Sequence, residues 1–176
     1  MFTGRIAVFV FAMFLGANAF ADIARTSDDV YVRIVDVGGG LCSVVSVPDG
    51  YHMIYDAGHW HSSQCLSAAE EIIADADIEM MVISHSDADH HGEAAAILER
   101  FNVHRIIRTG YRRGSDTWKA TNTAIANEAL HGATIENLAT GEIAPGTQYE
   151  LGDAMVTYIA GWPRWEGGWA DGIGAA

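Results

Sequence analysis

Residues 85–92 read His-Ser-Asp-Ala-Asp-His-His-Gly and directly follow an apolar run over 78–84. The run has the length and composition of a buried strand, and apolar residues in 94–101 recur at helical spacing. The quoted stretch is therefore predicted to be a strand-to-helix loop. Ligands of α/β folds bind in such loops, at the carboxyl ends of strands. The five histidine and aspartate side chains concentrated here predict a functional site, although His91 begins the helix and is expected to point away from it.

The chemistry of the 85–92 loop favours a metal ion, because clustered charges in a partly buried loop are costly unless a cation neutralises them. An EF-hand calcium loop counted from Asp87 would need an oxygen ligand at His91 and a glutamate at Leu98. A closed structural zinc site usually contains cysteines, but Cys42 and Cys65 are distant in sequence. Imidazoles and carboxylates that leave open positions favour a catalytic site.

The segments before the loop predict a meander of short strands. Residues 30–37, 41–47 and 51–55 are rich in β-branched or apolar residues, and 38–40 and 48–50 carry the glycine, proline and aspartate typical of turns. Residues 62–76 show helical spacing and lead into the strand at 78–84.

After the loop, strands and helices alternate. The predicted elements are a helix over 94–101, a strand over 103–107, a helix over 116–130 with Ser115 as its N-cap, a strand over 134–138, and a hairpin of 148–151 with 154–159. A meander followed by alternating strands and helices predicts an α/β architecture, with a mixed sheet covered by helices.

The first 21 residues are predicted to be a signal peptide. Arg5 precedes an apolar run over 6–15, and Ala19-Phe20-Ala21 resembles a cleavage site before Asp22. The run is about ten residues, whereas a membrane span needs roughly 20, so stable membrane insertion is not expected. The expected product is an exported protein, periplasmic or extracellular, with one domain over 22–176.

The two cysteines leave two interpretations open. In an exported chain Cys42 and Cys65 can form a disulfide, but both also lie in segments predicted to be buried, where free thiols are common.

The net charge of the chain narrows the class of substrate that is expected. The chain has 10 lysines and arginines against 23 aspartates and glutamates, a net charge of −13. Such a field disfavours nucleic acid as a substrate without excluding it. The only candidate basic patch is 105–113, with Arg108, Arg112 and Arg113, and ordinary solvated surface is the alternative.

The motif His-x-Asp-x-Asp-His-x-Gly of 85–92 resembles the metallo-β-lactamase signature His-x-His-x-Asp-His. Residues 36–40, 49–50 and 54–58 (Asp-Val-Gly-Gly-Gly, Asp-Gly and Ile-Tyr-Asp-Ala-Gly) are similar to the opening of the branch that includes the hydrolase domain of ComEC-like competence proteins. The resemblance covers about residues 30–159. It implies a metallo-β-lactamase-like αβ/βα sandwich with a mixed sheet, of which the chain would hold only the N-terminal part.

The same resemblance implies a dinuclear centre. His85 and Asp87 would bind the first metal ion, Asp89 and His90 the second, and Asp56 would hold the loop through hydrogen bonds, a plain turn residue being the alternative. Asp87 replaces the histidine of better-known members. Because a carboxylate favours harder ions, Zn²⁺ is expected with Mn²⁺ as a competitor.

The implied activity is hydrolysis, in which metal-bound hydroxide, oriented by Asp89, attacks a phosphodiester or a related ester or amide bond. The expected partner is a small-molecule or phosphodiester substrate. His59 and His61 are candidate cleft residues. His104 and His131, the only later histidines, fit a strand edge and a helix end better than metal ligation. Two alternatives stay open: a lactam, lactone or thioester hydrolase, and a non-catalytic metal-binding module or inactive fragment. The oligomeric state is not indicated.

Overall fold

A six-stranded mixed sheet forms the centre of the molecule. The computed structural model describes residues 28–111 and 113–160; the predicted signal peptide and Arg112 lie outside the described residues. The strands are β1 (Tyr31–Ile34), β2 (Cys42–Val47), β3 (Tyr51–Ala57), β4 (Met80–Ile83), β5 (Arg105–Arg108), β6 (Thr134–Asn137), β7 (Gln148–Leu151) and β8 (Ala154–Thr157). The helices are α1 (Gln64–Ile73), α2 (Ala94–Arg100) and α3 (Asp116–Leu130).

The strands of the large sheet follow chain order, β1-β2-β3-β4-β5-β6. The first three are antiparallel, as expected of a meander joined by tight turns. From β3 to β6 the pairing is parallel, because each step returns through one of the three helices. This arrangement brings the carboxyl ends of β3, β4 and β5 to one edge, where the loops that follow them meet.

Successive residues of the parallel strands point to opposite faces, and both faces are covered. Ile54, Met81 and Ile106 pack with the buried residues of α1, α2 and α3. Their chain neighbours Met53, Met80 and Ile107 pack under the β7-β8 hairpin. Burial on both sides explains why 78–84 reads as one apolar run instead of alternating. The prediction of an α/β fold with a mixed sheet is confirmed.

Local signals located the helices well and the edge strand less well. Helix α3 has the predicted bounds, and the Ser115 hydroxyl accepts a hydrogen bond of 3.2 Å from the Trp118 N–H. Strand β1 is shorter than the predicted 30–37 and ends at Ile34; in the described part of the chain it is an edge strand, paired with β2. The predicted hairpin turn at 48–50 is a single 3₁₀ turn, with both Asp49 and Gly50 at positive φ.

Cys42 and Cys65 form a disulfide, which resolves the two interpretations left open by the sequence. The bond joins the start of β2 to the first turn of α1, and both residues are fully buried.

In the described ranges, none of the helices combines the length and the apolar character needed to cross a bilayer.

Candidate metal centre

The 85–92 loop leaves β4 at the edge where β3 also ends, so the candidate side chains converge from two strands. His85, Asp87, Asp89 and His90 are each partly buried, whereas Asp56 of β3 is completely buried beneath them. The geometry therefore places a buried carboxylate behind a row of accessible donors.

Asp56 reaches this position through a β-bulge. Cys42 pairs with Ala57 and Ser43 pairs with Tyr55, so Asp56 is the extra residue on β3. Its φ of 57° lies in the left-handed region, which is uncommon for a residue other than glycine. A bulge re-aims a side chain, and such strain persists only where the surrounding structure holds it. Here it turns the carboxylate towards the neighbouring strand end.

The Asp56 carboxylate holds the end of β4 and one histidine. Oδ1 accepts a hydrogen bond of 2.7 Å from the Ser84 N–H, and Oδ2 accepts one of 2.7 Å from the Ser84 hydroxyl. His90 Nδ1 lies 2.7 Å from Oδ2. Because an ionised carboxylate only accepts, His90 Nδ1 carries the proton, and in the neutral ring Nε2 carries the lone pair.

Ser84 fixes the position of the proton on His85 in the same way. Its hydroxyl donates its single proton to Asp56, so it must accept from His85 Nδ1, which lies 2.9 Å away. Neutral His85 therefore also presents the lone pair of Nε2. Hydrogen bonding of the remote ring nitrogen is the usual way in which proteins orient histidine ligands of metals.

These lone pairs face carboxylates. His85 Nε2 lies 3.5 Å from Asp87 Oδ2, His90 Nε2 lies 3.8 Å from Asp89 Oδ2, and the two rings are 4.0 Å apart. Two acceptors that face each other repel unless a cation lies between them, so the donor set fits a divalent ion. Across residues 28–111 and 113–160, however, no three potential ligands come together in one metal-binding group. The structure brings the donors together as two pairs.

Asp87 also contacts a cationic side chain, Arg113, whose guanidinium forms an ion pair with Oδ1. Arg113 belongs to the predicted basic patch of 105–113. Arg108 donates instead to Asn137 and Asn122.

Backbone contacts hold the loop against the β2-β3 meander. The Leu41 N–H donates to the Asp89 carbonyl at 3.3 Å, and the Ala57 N–H donates to the His90 carbonyl at 2.6 Å. Gly40, at φ +94°, approaches so closely that a Cβ would lie 1.8 Å from the Asp89 carbonyl oxygen. The glycine run of 38–40 therefore serves close approach as well as turning.

The candidate cleft histidines lie in the 59–61 turn, which runs beside the loop. The Trp60 N–H donates to the Ala88 carbonyl at 3.1 Å. His59 stacks on Trp60, and its Nδ1 accepts a hydrogen bond of 3.1 Å from the His61 N–H. Neutral His59 therefore carries its proton on Nε2, where it suits donation to a substrate better than metal ligation.

His91, although adjacent to His90, points away from the candidate site. Its Nδ1 lies 3.1 Å from the Thr121 hydroxyl, and its ring packs edge-on against Trp118 of α3. Burial lowers the pKa of His91, so the ring is a neutral core residue. Its omission from the predicted ligands agrees with this position.

The later histidines occupy the predicted positions. His104 precedes β5 and lies 3.0 Å from Asp77, and exposed His131 caps the C-terminus of α3.

Three residues near the site were missed by sequence reasoning. Ser84 adjoins the motif, so its place before His85 was an available signal. Arg113 belonged to the noted basic stretch. Glu93 carried no signal: it is buried at the start of α2, and its carboxylate accepts hydrogen bonds from the N–H groups of Cys65 and Leu66, which caps α1.

Comparisons with known proteins place the chain in a family. The sequence model described as "Metallo-beta-lactamase superfamily" matches residues 35–164. No relative is found among the curated proteins.

Solved structures similar to this chain include several enzymes. Metallo-beta-lactamase SMB-1 is 17% identical, with a TM-score of 0.49, over 77% of this chain and 55% of that one. MEM-A1, a subclass B3 metallo-beta-lactamase from a soil metagenome library, is 14% identical, with a TM-score of 0.48, over 74% and 48%. Rubredoxin oxygen:oxidoreductase of Desulfovibrio gigas is 18% identical, with a TM-score of 0.45, over 70% and 28%.

The chain thus spans between about a quarter and just over half of the length of these three proteins. The family match covers most of the sequence, including the whole 85–92 loop and Asp56. The chain belongs to the metallo-beta-lactamase superfamily.

Proposed function

We propose that this protein is an exported, metal-dependent hydrolase that cleaves a phosphodiester or a related ester or amide bond. The observation that carries the proposal is the orientation of His85 and His90, whose Nε2 lone pairs both face carboxylates of the 85–92 loop. In the neutral rings these lone pairs would repel the carboxylates, and a divalent ion between each pair would remove that repulsion.

In this proposal His85 with Asp87 and His90 with Asp89 hold two divalent ions, Zn²⁺ first and Mn²⁺ as the alternative. A bound ion would lower the pKa of a water molecule to roughly 7, which would make a nucleophile available near neutral pH. Asp89, more exposed than the buried Asp56 beneath it, is placed to accept a proton from that water or to orient it.

Other residues would orient the histidine rings and the substrate. Asp56 and Ser84 keep the protons of both rings on Nδ1. The Nε2–H of His59, in the adjoining turn, can donate to an oxygen of the substrate. The orienting roles of Asp56 and Ser84 follow from hydrogen bonds within this chain.

The substrate class rests on the similarity of 36–40, 49–50 and 54–58 to the ComEC-like branch, which favours a phosphodiester. The net charge of −13 weighs against long nucleic acid. A small anionic diester suits both observations, with lactams, lactones and thioesters as the alternative enzyme class.

Export is supported by the sequence pattern of residues 1–21 and by the Cys42–Cys65 disulfide, since disulfides persist in oxidising compartments. N-terminal sequencing of secreted protein should begin at Asp22. Protein retained in the cytoplasm with Met1 intact would contradict export.

The decisive experiment measures turnover of bis(p-nitrophenyl) phosphate and nitrocefin by the full chain with Zn²⁺ or Mn²⁺. We expect chelator-sensitive hydrolysis of the diester that Asp89→Ala removes. Asp116→Ala is the matched control, because Asp116 is an exposed aspartate of α3 whose carboxylate accepts a hydrogen bond from Lys119. Preference for nitrocefin would reassign the substrate class.

A metal-binding module without turnover is the second candidate, and one observation favours it: within the described residues the potential ligands form pairs, not a group of three. Metal uptake without hydrolysis of either substrate would select this function. Absence of both uptake and turnover would reject both candidates.

A further inference from the structure

The carboxylate of Asp87 contacts two different side chains, a candidate metal ligand and an arginine. Asp87 Oδ2 lies 3.5 Å from His85 Nε2, whereas Oδ1 forms an ion pair with the Arg113 guanidinium. Asp89, the corresponding carboxylate of the second pair, faces His90 across 3.8 Å, and none of the ion pairs in the described part of the chain joins it to an arginine or lysine. The two histidine–aspartate pairs therefore differ in charge.

Arg113 comes from outside the 85–92 loop. It lies between β5 and α3, on the connection that reaches the same sheet edge as the loop after β4. Its side chain is 29% exposed and that of Asp87 is 38% exposed, although Asp87 Oδ1 itself is buried. Because both side chains are partly exposed, the guanidinium can move away without unfolding the core.

We propose that Arg113 is a built-in counter-cation that competes with a divalent metal ion for Asp87, so that metal binding at the His85–Asp87 pair must displace the guanidinium. The inference rests on the proposed metal site and names how that site is regulated. Its physical basis is that a guanidinium and a divalent ion on one carboxylate repel each other at short range.

The competition sets an order of binding. Among the described residues the Asp89–His90 pair has no arginine or lysine to displace, so it is filled first. The His85–Asp87 pair follows at higher metal concentration, because part of the binding free energy is spent on separating Arg113 from Asp87.

The test is a Zn²⁺ titration of the full chain against a chromophoric chelator. Arg113→Met should raise the affinity of the weaker site on the order of tenfold, since the competing charge is gone. Arg113→Lys should give a smaller gain, because a point charge remains but the planar fork does not. Arg113→Gln serves as the second neutral variant if Arg113→Met folds poorly.

Two controls locate the effect. In an Asp87→Asn background, Arg113→Met should give no gain, since the contested carboxylate is absent. Arg105→Met removes an arginine paired with Glu136 at 2.8 Å, of similar exposure but outside the loop, and should leave zinc affinity unchanged.

The outcomes separate the two proposals. Equal zinc affinity in wild type and both neutral Arg113 variants would overturn the competition and leave the proposed hydrolase standing. A gain that persists with Asp87→Asn would also overturn it. No zinc uptake by any variant would overturn the metal site itself, and the competition with it.

Discussion

The 85–92 loop and the 59–61 turn lie side by side, and both are rich in histidine, yet they differ in what holds their rings. In the loop, a fully buried Asp56 keeps the proton of His90 on Nδ1 and leaves Nε2 for a ligand. In the turn, a backbone N–H occupies His59 Nδ1, and the neighbouring Trp60 is 49% exposed. The density of histidines is therefore a weaker guide to a metal site than the group behind each ring.

The largest expected effect on stability comes from a substitution at the contact between the 85–92 loop and the β2-β3 meander. Gly40→Ala would place a Cβ 1.8 Å from the Asp89 carbonyl oxygen at a φ of +94°, so either the loop or the glycine turn must shift. We expect a loss of roughly 3–5 kcal/mol in the free energy of unfolding, from steric overlap together with backbone strain. Urea unfolding measures it.

The neighbouring glycines are matched controls for Gly40. Gly38 also has positive φ but nothing within 4 Å of a Cβ, so Gly38→Ala should cost about 1 kcal/mol. Gly39 has neither feature, and Gly39→Ala should be nearly neutral. Equal costs at all three positions would show that the loop is not held by this close approach.

Asp56 tests the anchoring of the loop directly. Asp56→Ala leaves the Ser84 N–H and His90 Nδ1–H without their acceptor, and should cost about 3 kcal/mol of stability and 10- to 100-fold in metal affinity. Asp56→Asn should cost less stability, because its amide oxygen still accepts one bond. Unchanged zinc binding in Asp56→Ala would contradict the anchoring role.

Reduction of the disulfide affects the region of the 59–61 turn instead of the 85–92 loop. Cys42 and Cys65 enclose β2, β3 and the 59–61 turn, with a sequence separation of 23. Reduction should lower the free energy of unfolding by about 3 kcal/mol, because a loop of this length gains entropy in the unfolded state. Mass spectrometry with alkylation should find no modified cysteine before reduction and two after it, and alkylation before reduction would disprove the bond.

The 59–61 turn should show the smallest effects. His59→Ala and His61→Ala remove rings at the surface, so each should change stability by less than about 0.5 kcal/mol and leave zinc affinity within roughly twofold. A drop in affinity comparable to that of Asp56→Ala would place these histidines among the ligands and erase the contrast between the two regions.

Sequence reasoning succeeded where the cause is local. The sequence predicts helix α3 over 116–130 with Ser115 as its N-cap, and the structure has the same bounds and the same cap. The 85–92 loop was located because strand and helix patterns end on either side of it. Strand β1 was overestimated, since pairing at a sheet edge depends on a neighbour that the pattern does not describe.

Other features depend on contacts between distant segments. The bulge at Asp56 arises from the register of β3 against β2, and Glu93 caps a helix that begins 29 residues earlier in the chain. The disulfide between Cys42 and Cys65 likewise could be assigned only from the fold, because the sequence pattern of two buried cysteines is the same whether or not they are bonded.

The amino-acid sequence alone determined which chemical groups this protein places after β4, because ligand type and spacing within one loop are local properties. Only the tertiary structure decided which nitrogen of each ring is available, and that Asp87 is shared between His85 and Arg113. The physical reason is that a proton's position on a ring and a carboxylate's partner depend on atoms within about 3 Å, and the fold draws those atoms from separate strands and loops.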